Sequence, residues 1–208
     1  MVKLDSIIFD LDGTLWDSRN TIVNAWNKVV SREKQLETPI TTDDLKQVMG
    51  LPYDEVGRRL LPDLEQDKQQ KVLNACCEME NEYLRRYGGD LYETVEESLK
   101  LLFEKYQLYI VSNCQDGYIE AFYTYHKLEK YFQDYENPGR TGLSKAENIK
   151  LVMERNALSD PIYVGDTKGD QQAAKEVGIP FVYASYGFGK VNRCDLVIHK
   201  FDQLLELV

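Results

Sequence analysis

The chain has 208 residues, a net charge of −10, 43% hydrophobic and 29% charged residues, a globular composition with enough apolar material for a core without disulfides or structural metal. The negative balance and the absence of any block of five Lys or Arg exclude nucleic acid and anionic membranes as expected partners. No apolar run approaches 18 residues, and Asp5, Asp10 and Asp12 interrupt the apolar segment at the N-terminus, so the expectation is a soluble, cytoplasmic protein without a transmembrane helix or signal peptide.

Ser6-Ile7-Ile8-Phe9 reads as a buried strand ending at Asp10. From residue 15 to 90 the strand rhythm stops. Ile22, Trp26, Val29 and Val30 mark a first helix after a cap at Asp17 or Ser18. Leu45, Val48 and Met49 mark a second, closed by Gly50 and Pro52, and Val56, Leu60 and Leu61 a third, stopped by Pro62. Leu73, Cys76, Glu80, Tyr83, Leu84 and Tyr87 run along a fourth that Gly88-Gly89 terminates. Val95, Leu99, Leu102 and Phe103 then share one face of a further helix. Leu108–Val111, Ile162–Val164, Phe181–Ala184 and Leu196–Ile198 are the remaining strands. Unbroken apolar runs between helices predict an α/β fold: a Rossmann-like parallel sheet with helices on both faces. Residues 1–14 and 91–208 form that core, and 15–90 an inserted all-helical cap.

The carboxyl ends of three strands carry Asp10-Leu11-Asp12-Gly13-Thr14, Ser112-Asn113 and Gly165-Asp166-Thr167-Lys168-Gly169-Asp170, on the edge where open parallel sheets place ligands. Residues two apart in extended chain project alike, so Asp10 and Asp12 are expected to face one space. Taken alone, Ser112-Asn113 reads as an ordinary turn, Gly165–Asp170 equally well as a helix cap, and Lys145 as a solvated side chain. Four aspartates on one edge nevertheless suit a hard divalent cation such as Mg²⁺. His126 and His199 lie far apart and are expected to be structural, which leaves little material for a Ser-His-Asp mechanism. Cys76, Cys77, Cys114 and Cys194 contain no CxxC pair and are expected to be reduced.

Asp10–Thr14, Ser112, Lys145 and Gly165–Asp170, in that order, resemble the signature of the haloacid dehalogenase superfamily, and the helical insert after the first motif resembles the small cap of its phosphoglycolate-phosphatase-like branch. The resemblance implies a Mg²⁺-dependent phosphatase acting on a small phosphorylated metabolite, as a monomer or weak homodimer. It makes Asp10 the nucleophile, forming an aspartyl-phosphate, and Asp12 the acid–base group. Asp10, the Asp12 carbonyl and Asp166 hold the metal. Ser112, Asn113 and Lys145 bind phosphate, while Thr14 and Asp170 support. In many relatives a proline follows the lysine, where this chain has Ala146. Arg58 and Arg59, near Gly50-Leu51-Pro52, are candidates for substrate contact from the cap. A phosphosugar mutase and a non-catalytic phosphate-binding protein are the alternatives on the same fold.

Overall fold

The computed structural model describes residues 4–33 and 38–208. Residues 1–3 of the expected core and 34–37 of the expected insert lie outside them. In chain order the elements are β1 (Ser6–Phe9), β2 (Trp16–Asp17), α1 (Arg19–Val30), α2 (Thr42–Val48), α3 (Tyr53–Leu60), α4 (Gln66–Tyr87), β3 (Asp90–Leu91), α5 (Val95–Phe103) and β4 (Gln107–Val111). They continue through α6 (Tyr118–His126), β5 (Asp134–Glu136), α7 (Pro138–Thr141), α8 (Lys145–Arg155), β6 (Pro161–Gly165), α9 (Lys168–Val177), β7 (Phe181–Ala184), β8 (Leu196–Ile198) and α10 (Leu204–Leu207).

Six strands form one parallel sheet in the order β5-β4-β1-β6-β7-β8. Its alternating side chains explain the unbroken apolar runs. Ile7, Phe9, Leu108, Ile110, Ile162 and Val164 join a core on one face, with Leu99 and Leu102 of α5 and Ile119 and Phe122 of α6. Ile8, Tyr109, Val111 and Tyr163 face the other way, onto Ile149 and Val152 of α8 and Ala173 and Ala174 of α9. Each large apolar side chain so enclosed contributes about 1.5–3 kcal/mol. Both faces being covered, the strands need no polar positions.

β1 sits between β4 and β6, in matched register: Phe9 stands opposite Ile110 on one side and Val164 on the other. The residues just past these three strands therefore emerge side by side. The chain runs from β1 outward to β4 on one side and from β6 outward to β7 on the other, the divergence that leaves a crevice at the carboxyl edge between β1 and β6.

Three expectations are corrected. The sheet has a strand that the apolar pattern does not announce: Asp134-Tyr135-Glu136, an edge strand held by pairing with β4. The segment 15–90 is not all helical, because at its ends β2 and β3 pair antiparallel, Trp16 opposite Leu91 and Asp17 opposite Asp90. Phe103 and Tyr87 do not belong to the buried faces assigned to them, being 39% and 51% exposed at the ends of their helices. The insert's helices otherwise match their spacing: Ile22, Trp26 and Val29 of α1 pack in one core with Leu73, Cys76 and Leu84 of α4. No disulfide joins the cysteines. Among the described residues, no helix is long and apolar enough to cross a membrane.

Candidate active site

Asp10 follows β1 directly, and its N–H donates to the Val164 carbonyl at 2.8 Å, which fixes the backbone against β6. The residue is 2% exposed. Its Oδ1 accepts from Lys145 Nζ at 2.9 Å. Lys145 is the first residue of α8, where Ser144 and Glu147 form a reciprocal capping box that sets the start of the helix. The same ammonium donates to Asp170 Oδ1 at 2.5 Å. A lysine 6% exposed is tolerable because two carboxylates share it. Burial opposes its charge, yet Asp10 and Asp170 hold its pKa well above the ordinary value. Burial pushes Asp10 upward, and Lys145 pulls against it.

Asp170 occupies the third position of α9, with Oδ2 accepting from the Thr167 N–H at 2.8 Å and the Thr167 hydroxyl at 2.7 Å. Both of its oxygens are thus engaged, one by the helix cap and one by Lys145. The cap reading and the site reading of Gly165–Asp170 turn out to be compatible, since Asp170 does both. Asp166, fully buried at the end of β6, differs. Its Oδ2 accepts from the N–H groups of Phe188 (2.6 Å) and Gly189 (3.1 Å). Among the described residues, its buried Oδ1 has no hydrogen-bond partner. A buried carboxylate oxygen without a donor is costly unless a cation meets it. One oxygen from each of Asp10, Asp166 and Asp170 lies within 4.8 Å of the others. An all-oxygen set of this kind, with one oxygen unpaired, fits a hard divalent cation such as Mg²⁺.

Asp12 does not join that group. The chain turns tightly here. The N–H groups of Thr14, Leu15 and Trp16 all converge on the Leu11 carbonyl, and Gly13 takes φ 80°. A Cβ at Gly13 would collide with the Asp166 carboxylate, so glycine is required there twice over. Asp12 Oδ1 accepts from the Ser18 hydroxyl and from Tyr118 Oη at 2.8 Å. Burial pushes its pKa to about 7, opposed by the Ser18 bond and assisted by the charge on Asp10. A carboxyl poised near neutrality can both give and take a proton.

Ser112 is buried at the end of β4, and its hydroxyl lowers the pKa of Asp10. The Asn113 side chain turns to the insert, where Nδ2 donates to the Gly50 carbonyl at 2.9 Å. A Cβ on Gly50 would stand 3.3 Å from the Thr167 methyl, so the loop between α2 and α3 lies against the start of α9. The Thr14 hydroxyl is buried without a partner, while its carbonyl accepts from Tyr186 Oη at 2.8 Å. Arg58 and Arg59 are not brought to the aspartates. Both are exposed and pair with Glu55 at 2.8 and 2.9 Å, a local i,i+3 and i,i+4 cluster on α3.

Sequence reasoning missed four contributors: Tyr118, Ser18 in its role toward Asp12, the Phe188-Gly189 amides, and Glu80. Ser18 does begin α1, but its hydroxyl makes no cap bond and goes to Asp12 instead. Glu80 is 5% exposed on α4 and accepts from Trp26 Nε1 and, at 3.1 Å, from Gln115 Nε2. Burial pushes its pKa to about 7. Its only signal in the sequence was a carboxylate on the apolar face of a helix.

Comparisons with known proteins show the family and the fold. The family model described as "Haloacid dehalogenase-like hydrolase" matches residues 7–184. A phosphoglycolate phosphatase of Vibrio parahaemolyticus is 27% identical, over 97% of this chain and 95% of its own. One from Rhodobacter capsulatus is 29% identical, over 89% of this chain and 86% of its own. Among solved structures, a haloacid dehalogenase-like family protein from Streptococcus pneumoniae superposes with a TM-score of 0.86 at 23% identity, covering 100% of this chain and 99% of its own.

Proposed function

Since the chain belongs to the haloacid dehalogenase-like hydrolases, we propose that it is a Mg²⁺-dependent phosphatase that hydrolyses a small phosphorylated metabolite through an aspartyl-phosphate on Asp10. The observation that carries this reading is the Lys145 ammonium buried between Asp10 and Asp170, beside the unpartnered Asp166 Oδ1. A phosphate dianion cannot approach such a set of carboxylates unless cations offset the repulsion. Asp10, the Asp12 carbonyl and Asp166 would hold the Mg²⁺. When bound, it supplies charge neutralisation for the phosphoryl oxygens.

In the first step the Asp10 carboxylate attacks phosphorus, and the ester oxygen departs with the proton of Asp12. In the second step Asp12, now ionised, takes a proton from water. That water attacks the same phosphorus, which releases inorganic phosphate and restores the Asp10 carboxylate. Lys145 orients Asp10 and binds the phosphoryl group, with the Ser112 hydroxyl as a further donor. Asp170 acts through Lys145. The Asn113 bond to Gly50 ties the phosphate-binding turn to the loop of the insert that closes over α9.

The likeness to phosphoglycolate phosphatases makes 2-phosphoglycolate the first substrate to assay, within a panel of phosphorylated metabolites followed by phosphate release. Asp10→Asn removes the attacking carboxylate while nearly preserving shape, and release should fall at least about 10³-fold. EDTA should abolish activity and Mg²⁺ restore it. Retention of a tenth of wild-type activity by the variant, full activity in chelator, or rearrangement of a sugar phosphate without phosphate release would each refute the reading.

A further inference from the structure

Tyr118 opens α6 and is 2% exposed, with its ring packed edge-on against Trp16 at 5.8 Å between centroids. That packing needs an aromatic ring but no hydroxyl. A buried hydroxyl is costly unless it finds partners, and the partners of this one are Asp12 Oδ1 at 2.8 Å and Ser18 Oγ at 2.9 Å. The Ser18 hydroxyl in turn donates to the same Oδ1. Two donors, one at the start of α1 and one at the start of α6, thus converge on a single oxygen of Asp12. Among the described residues, Oδ2 accepts no hydrogen bond.

The terminal torsion of an aspartate is soft and roughly two-fold, so an untethered carboxyl presents either oxygen in turn. We propose that Tyr118 is a positioning residue for proton transfer: with Ser18 it clamps Oδ1 of Asp12 and leaves Oδ2 as the oxygen that exchanges the proton with leaving group and water. The inference rests on the acid–base role given to Asp12 above. It assigns a function to a hydroxyl that lies 106 residues away in sequence and touches neither Asp10 nor Lys145 by any hydrogen bond.

The consequence is selective for the leaving group. An alkyl phosphate expels a poor alkoxide and needs the proton, whereas p-nitrophenyl phosphate expels a stable phenolate and needs it far less. The test compares single-turnover rates of the full chain with Mg²⁺ on p-nitrophenyl phosphate and on 2-phosphoglycolate, or on another alkyl phosphate that the wild type hydrolyses. Tyr118→Phe keeps the ring and removes only the hydroxyl. The ratio of alkyl to aryl rates should fall at least tenfold, and in an Asp12→Asn background the same substitution should produce no further fall. Ser18→Ala, which removes the other donor, should shift the ratio in the same direction and decides the question if Tyr118→Phe melts near the assay temperature. A ratio unchanged in both variants, or a fall that persists without the Asp12 carboxyl, overturns the inference. If Asp12→Asn itself collapses the ratio while Tyr118→Phe and Ser18→Ala do not, the clamp falls and the acid–base reading stands. If Asp12→Asn leaves the ratio intact, both fall together.

Discussion

Glu80 offers a test of the electrostatics that does not depend on any substrate. Its carboxyl is enclosed between α4, α1 and the turn after β4, and burial raises its pKa from 4.5 to about 7, against the bonds from Trp26 and Gln115. Between those two values the folded chain holds a proton at Glu80 that the unfolded chain has lost. The stability that Glu80 contributes is therefore fully present below about pH 4.5 and is lost as pH rises through the folded pKa. Each pKa unit corresponds to about 1.4 kcal/mol, so the full decline is on the order of 3 kcal/mol, about three quarters of it between pH 5 and 8. Glu80→Gln removes the titration at almost constant volume. The glutamine can accept from Trp26, and Gln115 can flip its amide to accept from the new NH₂. The other raised carboxyls, Asp10, Asp12 and Asp166, titrate in both proteins and largely cancel in the difference. Relative to wild type, the variant should gain about 2–3 kcal/mol between pH 5 and pH 8, a Tm difference of about 5–10 °C for a chain of this size. Urea unfolding and thermal melts at the two pH values measure it. A difference that does not change with pH would refute the argument that burial, and not packing alone, governs Glu80.

Two further outcomes follow from the charges around the site. Lys145→Met strands two buried carboxylates, so in chelator it should lower stability by about 3–5 kcal/mol at pH 8, measured by urea unfolding; phosphate release should drop at least about 10²-fold. Arg58→Ala and Arg59→Ala break only exposed pairs with Glu55 and should leave the melting temperature and KM where they are. A threefold rise in KM would return those arginines to the substrate.

Legibility in the sequence followed burial. Strands enclosed on both faces announce themselves, because Ile7, Ile8 and Phe9 can be apolar without alternation. The edge strand Asp134–Glu136 cannot, since its place comes from pairing with β4 and not from its own side chains. The aspartates were visible as a dense motif after a strand. Lys145 looked like a solvated side chain at a helix start until the sheet brought α8 over Asp10, and its burial is a property of the fold, not of its neighbours in sequence. The partners of Asp12 were not visible in its motif, because the turn at Gly13 and the start of α1 bring Ser18 to it. Tyr118 left no local trace at all. Its hydroxyl meets Asp12 only after β4 and α6 are in place.

The central position of β1 has a consequence for how the chain comes into being. β1 is synthesised well before either of its partners: about 100 residues separate it from Gln107–Val111 and about 150 from Pro161–Gly165. At roughly 5–20 residues per second, a ribosome takes on the order of ten to thirty seconds to span the longer interval. Until Gln107–Val111 is made, Ile7, Ile8 and Phe9 have no partner on either hydrogen-bonding edge, and the edge toward Pro161–Gly165 waits longer still. The pairings that complete the site span most of the chain, so they carry a large loop-closure cost and form late. The nascent chain thus carries an adhesive apolar strand while only the intervening helices can fold, which makes it a natural client for a chaperone that shields that strand.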